Sequence, residues 1–245
     1  CDMKEIVLLS GKGGTGKTNL CGCFAQLSGD AVLADCDVDA SNLPLLLKPE
    51  IRSQHDFYAG FEPRFDPVKC LRNGDCSVAC PFHVLGVDAS GMPQLRVTGC
   101  EGCAVCASVC KEDAVEMVPR LCGQWYESQT DCGIMFHARL LPGGENSGKL
   151  IAQLRRAAKQ KALAVNAAKL ICDGPPGIGC PAISTVSGAD LAILVTEPTV
   201  SGLHDLKRVV GLVKQFGVPA QVVINKCDLN CEMADAIQSF CQSKQ

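Results

Sequence analysis

Continuous apolar runs, rather than alternating ones, mark both ends of this chain. "KEIVLLS" (4–10), "AVLAD" (31–35), "KLICDG" (169–174), "LAILVTE" (191–197) and "AQVVINK" (220–226) each read as a short strand without a polar face. Such strands suit a parallel sheet covered on both sides. Helical patterns lie between them. A helix is predicted from Lys17 to Leu27, and residues 147–164 place Leu150, Ile151, Leu154, Ala158 and Ala162 on one helical face. "HDLKRVVGLVKQF" and "EMADAIQSFC" supply an intervening and a final helix. Past Glu62 the alternation stops, and cysteine, glycine and proline take over as far as Pro119. The pattern predicts an α/β fold, a doubly wound, mostly parallel sheet over residues 1–61 and 119–245, interrupted by a module at 62–118.

Composition narrows the partners. A chain of 245 residues holds one large α/β core, or such a core plus a small module. A net charge of −3 and 4% aromatic residues argue against a nucleic-acid face, which needs a basic surface and stacking rings. No apolar run approaches the roughly 20 residues that cross a bilayer, and no charged-then-apolar leader opens the chain, so no stable membrane insertion is expected. The 18 cysteines are the anomaly. A disulfide scaffold would be smaller and exported. Soft-metal chemistry in the reducing cytoplasm of an anaerobe is the expectation instead.

Directly after the first strand comes Gly11–Lys12–Gly13–Gly14–Thr15–Gly16–Lys17–Thr18, followed by Asn19 on the predicted helix. This is G-x-x-x-x-G-K-[ST] in the strand–loop–helix context that the motif requires. Its backbone N–H groups close around phosphate oxygens, helped by the positive end of the helix. Lys17 neutralises the β- and γ-phosphates, and the Thr18 hydroxyl ligates Mg²⁺.

The module carries two cysteine motifs. "GCEGCAVCASVCK" contains Cys100, Cys103, Cys106 and Cys110, a full C-x₂-C-x₂-C-x₃-C run. Zinc also takes four thiolates, but usually from two separated C-x₂-C pairs. "KCLRNGDCSVACP" puts Cys70, Cys76, Cys80 and Pro81 on the same frame, with Asn73 at its second position. In the two-cluster ferredoxin pattern the fourth cysteine of each run crosses to the other cluster. One 4Fe–4S cluster then takes Cys80, Cys100, Cys103 and Cys106. The other takes Cys70, Cys76 and Cys110, and an amide is a poor iron ligand. That site is expected to be 3Fe–4S, or 4Fe–4S with one labile iron; weak ligation by Asp75 and a metal-free first motif stay open.

The second lysine of the phosphate loop adds a resemblance. With K-G-G-x-G-K-T at Lys12–Thr18, the chain resembles the deviant Walker ATPases, the group of MinD, ParA, Mrp and the nitrogenase iron protein. The resemblance implies ATP or ADP with Mg²⁺, and a dimer, either of two copies or with a related ATPase, in which Lys12 reaches the partner's nucleotide. It implies that Asp35 in "LADCDVDASNL" (33–43) helps hold the magnesium shell and that Asp37 positions the attacking water. In "ICDGPPGIGCP" (171–181) it makes Asp173 the Walker-B carboxylate, with the Gly177 N–H at the γ-phosphate. In "VINKCD" (223–228) Asn225 contacts adenine beside Lys226 and Asp228, although Asn-Lys-x-Asp is also how GTPases read guanine. The chain as a whole resembles a subgroup with an inserted ferredoxin domain, some of whose members associate with a molybdenum–copper orange protein.

Cys180 lies at the offset where the nitrogenase iron protein has a cluster ligand on its dimer axis. No partner cysteine stands near Glu145, and Cys122 and Cys132 are the nearby candidates. The expected function is an ATP-dependent dimeric switch coupling nucleotide state to electron transfer, or to metallocofactor assembly on a partner protein. The alternatives are a MinD- or ParA-like positioning protein with structural or sensory clusters, and a GTPase for metal insertion.

Overall fold

The computed structural model describes residues 3–29, 31–96 and 99–243. In chain order it contains β1 (Lys4–Ser10), α1 (Lys17–Ser28), β2 (Ala31–Asp35), α2 (Leu43–Leu47) and the long β3 (Glu50–Phe65). Then come α3 (Asp75–Val78), β4 (Leu85–Val87), β5 (Pro93–Leu95), α4 (Val105–Ser108), β6 (Val115–Thr130) and β7 (Gly133–Leu140). The last third is α5 (Ser147–Ala164), β8 (Lys169–Pro176), α6 (Cys180–Val186), β9 (Leu191–Thr196), α7 (Val200–Gln215), β10 (Ala220–Ile224) and α8 (Cys231–Gln242). Among the described residues no helix is long and apolar enough to cross a membrane.

One eight-stranded sheet runs in the order β10-β9-β1-β8-β2-β7-β6-β3. The pairs from β10 through β7 are parallel. The five apolar runs become β1, β2, β8, β9 and β10. Leu8, Leu33, Leu170, Ile171 and Leu194 on four of these strands are buried, as their lack of a polar face requires. On α5 the buried residues are Leu150, Ile151, Leu154, Ala158 and Ala162, the stripe spaced at i, i+3/i+4. Burying the leucine and isoleucine side chains contributes about 1.5–3 kcal/mol each. Strand β1 lies between β9 and β8, so chain crossings diverge on either side of its carboxyl end. Ligands of such sheets bind at that kind of position.

One buried acid needs its partners. Glu5 on β1 is 2% exposed, and Arg155 Nε of α5 donates to its Oε1 at 2.8 Å. Lys159 Nζ reaches its Oε2 at 3.3 Å, while Arg155 Nη1 also donates to the Ser184 and Ser187 carbonyls. A buried carboxylate without such partners would be strongly destabilising.

The chain divides into two compact units, one of residues 56–123 and 140–146, the other of the remainder. The smaller unit thus takes in more of the chain than 62–118. It contains the antiparallel β4–β5 hairpin, in register at Leu85↔Leu95 and Val87↔Pro93, and the four-residue helices α3 and α4. Its core gathers Cys76, Cys80, Val84, Leu85 and Cys106. The two cysteine motifs repeat one backbone path. Arg72, Gly74 and His83 have φ of 56°, 79° and 54°, and the equivalent Gly102, Ala104 and Asp113 have 64°, 62° and 46°. L-residues avoid this left-handed region at a cost of roughly 1–2 kcal/mol each. On this repeated path Asn73 occupies the position of Cys103.

Candidate nucleotide site and cysteine module

The loop after β1 is shaped by close approaches. A Cβ on Gly16, whose φ is 89°, would lie 2.3 Å from Asn225 Nδ2, and one on Gly11 would lie 2.4 Å from Asp205 Cβ. Neither position has room for a side chain. The Asn225 side chain donates to the Thr15 carbonyl at 2.8 Å, and Lys226 Nζ to the Gly14 carbonyl at 2.7 Å. Both residues therefore brace the loop itself. Asn19 is exposed on α1, and Asp228 is exposed in the 3₁₀ turn Cys227–Leu229.

Two buried carboxyls, Asp35 and Asp173, stand opposite each other on β2 and β8. Lys17 Nζ donates to Asp173 Oδ1 at 2.6 Å, with both side chains almost fully buried, and lies 3.5 Å from Thr18 Oγ1. The other Asp173 oxygen, Oδ2, is buried with no hydrogen-bond partner. Asp35 accepts from Ser41 Oγ at 2.7 Å, Asp37 N at 3.0 Å and Leu43 N at 3.1 Å. Burial, then the facing Asp173, push its carboxyl up to about 7. Burial also raises half-buried Asp37, against the pull of Lys17. Facing acids with an orphaned oxygen and a nearby hydroxyl suit a hard divalent cation.

The raised Asp35 fixes a pH dependence. The folded chain keeps a proton that the unfolded chain releases, so this contribution to stability is complete below about pH 4 and is lost as pH rises through about 7. Asp35→Asn stays neutral but must give up one of the backbone bonds it accepts, costing about 1 kcal/mol. Without metal, the melting temperature of Asp35→Asn minus that of the parent is expected to be negative below about pH 4 and to change sign near about pH 4.5, where the parent's loss overtakes the lost bond. It should then climb with pH and level off near pH 8. His137, which burial lowers to about 4, contributes an opposite slope but is common to both proteins and cancels. A flat difference across this range would contradict the assignment.

Two expectations meet different geometry. Lys12 is bonded within its own chain: Nζ lies 2.7 Å from Glu197 Oε1, 2.9 Å from Ser201 Oγ and 3.5 Å from Thr199 Oγ1. The Gly177 N–H, expected at a phosphate, donates to the Ser10 carbonyl at 2.8 Å. Backbone donors next to a strand end take the nearest carbonyl, and here that is β1. Cys180 is exposed at the start of α6. The Cys122 thiol donates to the Ala59 carbonyl and that of Cys132 to Gln26 Oε1, each at 3.1 Å. Glu197 is the residue missed in the sequence. It gave no signal there because its partners, Lys12 and Lys226, lie far along the chain.

In the smaller unit, Cys80, Cys100, Cys103 and Cys106 line one small cavity, with Pro81 and Met117 among its walls. Burial raises the Cys80 thiol, but the N–H groups of Val84, Phe82, Leu85 and His83 outweigh it, and the net shift is downward. Burial raises Cys106 and Cys76. In the other set, Cys70 Sγ accepts from Arg72 N at 3.4 Å and Cys110 Sγ from Ala114 N at 3.3 Å. Asn73 is tied to Asp75: its Nδ2 donates to Asp75 Oδ2 at 2.9 Å, and its Oδ1 accepts from Asp75 N at 3.3 Å. Among the described residues no group of three or more His, Cys, Asp or Glu is arranged to hold a metal ion.

A P-loop braced at the carboxyl edge of a parallel sheet, with facing acids beneath it, defines a P-loop protein of the nucleotide-binding α/β class. The family model CobQ/CobB/MinD/ParA nucleotide binding domain (CbiA) matches residues 6–244, and the chain belongs to this family. An uncharacterized protein of Methanocaldococcus jannaschii is 35% identical over 231 residues, covering 92% of this chain and 79% of that one. A shorter stretch of 68 residues is 26% identical to the PorD subunit of pyruvate synthase from the same organism, covering 28% of this chain and 79% of that subunit. The cell-division ATPase MinD of Pyrococcus furiosus superposes with a TM-score of 0.50 at 17% identity, covering 96% of this chain and 79% of that one, which is a likeness of fold.

Proposed function

We propose that the protein is an Mg-ATP-binding and hydrolysing switch, paired in its ATP state, that carries iron–sulfur clusters and couples nucleotide state to a redox or metallocofactor partner. The observation that carries the reading is the cavity bounded by Cys80, Cys100, Cys103 and Cys106. These four are the crossed set that the two-cluster pattern requires. The amide N–H groups around Cys80 favour a thiolate, the form that binds metal, and four thiolates are the ligand set that a 4Fe–4S cluster takes. Cys70, Cys76 and Cys110 offer three thiolates, with Asn73 at the fourth corner. Bound clusters would supply one-electron transfer. The 68-residue likeness to the PorD subunit of a pyruvate synthase supports a small module of the kind that subunit has.

On the nucleotide side, loop N–H groups and Lys17 would bind the phosphates, and Thr18, Asp35 and Asp173 would hold magnesium, which neutralises phosphate charge. Asp37 is half-buried, and its carboxylate would orient the attacking water. Lys12 would stabilise charge on the partner's nucleotide.

Anaerobic purification with iron and acid-labile sulfide counts tests the whole. About seven to eight irons per chain are expected, with a three-iron EPR signal in the oxidised state if the Asn73 corner stays open. The family likeness to MinD supports a second reading, an ATP-dependent positioning protein. ATP-driven pairing without acid-labile sulfide would select it.

A further inference from the structure

Glu197 is the first residue after β9, at a turn too tight for most sequences. Its carbonyl accepts from Thr199 N at 2.8 Å, and a Cβ on Gly202 would stand 2.2 Å from that same oxygen. Thr199 caps α7, its Oγ1 accepting from Gly202 N at 2.9 Å. The turn is therefore fixed, and it aims the Glu197 carboxylate at the phosphate loop. Oε1 takes Lys12 at 2.7 Å and Oε2 takes Lys226 at 2.9 Å, while Lys226 also donates to the Gly14 carbonyl. One carboxylate thus ties together the two lysines that flank the loop. The remaining contacts of Lys12, Thr199 and Ser201, belong to the same turn.

We propose that Glu197 is a positioning residue that holds Lys12 back on its own protomer, so that pairing requires Lys12 to exchange Glu197 for the partner's nucleotide. This rests on the reading that ATP joins two protomers. A lysine crossing to another subunit must first leave a carboxylate and two hydroxyls, and the competent conformer is populated only as far as that exchange allows. Apparent affinity for the partner falls by the same fraction. The hydrogen bonds from Lys12 and then Lys226 hold the Glu197 carboxyl below the ordinary range, so mild acidification does not release the tie. Release is left to the arriving phosphates and the second protomer.

Glu197→Gln keeps the shape and removes the charge, and Glu197→Asp keeps the charge on a shorter arm. Two readouts separate the proposal from the reading beneath it. In the nucleotide-free full chain, amine acylation at Lys12, followed by peptide mass spectrometry, should run several-fold faster in Glu197→Gln than in the parent. Glu197→Asp should stay close to the parent. With Mg and a slowly hydrolysed ATP analogue, sedimentation should show Glu197→Gln pairing at about tenfold lower protein concentration, the size expected for release of a partly exposed ion pair. Unchanged labelling, or weakened pairing, overturns the proposal. If neither protein pairs on the analogue, the dimeric switch falls, while the labelling rates still decide whether Glu197 restrains Lys12.

Discussion

Lys17→Ala is expected to abolish nucleotide hydrolysis and also to weaken the metal-free fold by about 3–5 kcal/mol, the cost of breaking a buried ion pair from one side. The size follows from what is left behind. Asp173 is 1% exposed, its Oδ1 bonds Lys17 at 2.6 Å, and its Oδ2 has no partner. Without the ammonium, a carboxylate at the centre of the sheet faces a second one, Asp35, in register. A surface pair such as Lys4–Asp190, half-exposed on both sides, would cost less than about 1 kcal/mol if broken. Adding Asp173→Asn to Lys17→Ala should recover most of the stability and none of the hydrolysis. Denaturant melts of the single and double variants test this directly. An unchanged midpoint in Lys17→Ala would mean that Asp173 finds another counter-charge.

The legible part of the fold was the part with one physical requirement. Strands β1, β2, β8 and β9 are covered on both faces and so read as unbroken apolar runs, and the edge strand β10 keeps an apolar run although Ala220 and Gln221 are exposed. Helix α5 buries one stripe, and its period gave the stripe away. Strand β3 was silent because most of its residues are exposed, including Glu50, Ile51 and Arg52. The β6–β7 hairpin was hidden too, because it mixes aromatic, polar and charged residues within one strand. Its ring contacts, His55 on Trp125 at 4.0 Å and Tyr126 on His137 at 5.0 Å, join residues from different strands, which no spacing rule encodes. The phosphate loop was legible for the same reason as the parallel strands: its glycines answer a steric demand that Asn225 and Asp205 now make visible. What spacing could not supply was the occupancy of each donor. Lys12 and the Gly177 N–H were assigned to phosphate, and both have partners inside the chain.

The cysteine module offers the other large effect. Cys106→Ala should cost about four irons per chain if the proposed cluster forms, because Cys106 is one of the four thiols assigned to it and lies in the unit's core. The more telling change is Asn73→Cys. Asn73 lies between Arg72 and Gly74, both left-handed, as Cys103 lies between Gly102 and Ala104. A cysteine there inherits the backbone path that Cys103 follows in the second motif. It forfeits the two bonds Asn73 makes with Asp75, a cost of about 1 kcal/mol each, while Asp75 keeps its place at the start of α3. The expected result is about one more iron per chain and loss of any three-iron EPR signal, with the cluster at Cys80, Cys100, Cys103 and Cys106 untouched. Iron content that stays the same after Asn73→Cys, with Cys70, Cys76 and Cys110 intact, would mean that the first motif does not hold iron on this frame. Asn73 would then be a turn residue whose work is done by its two bonds to Asp75.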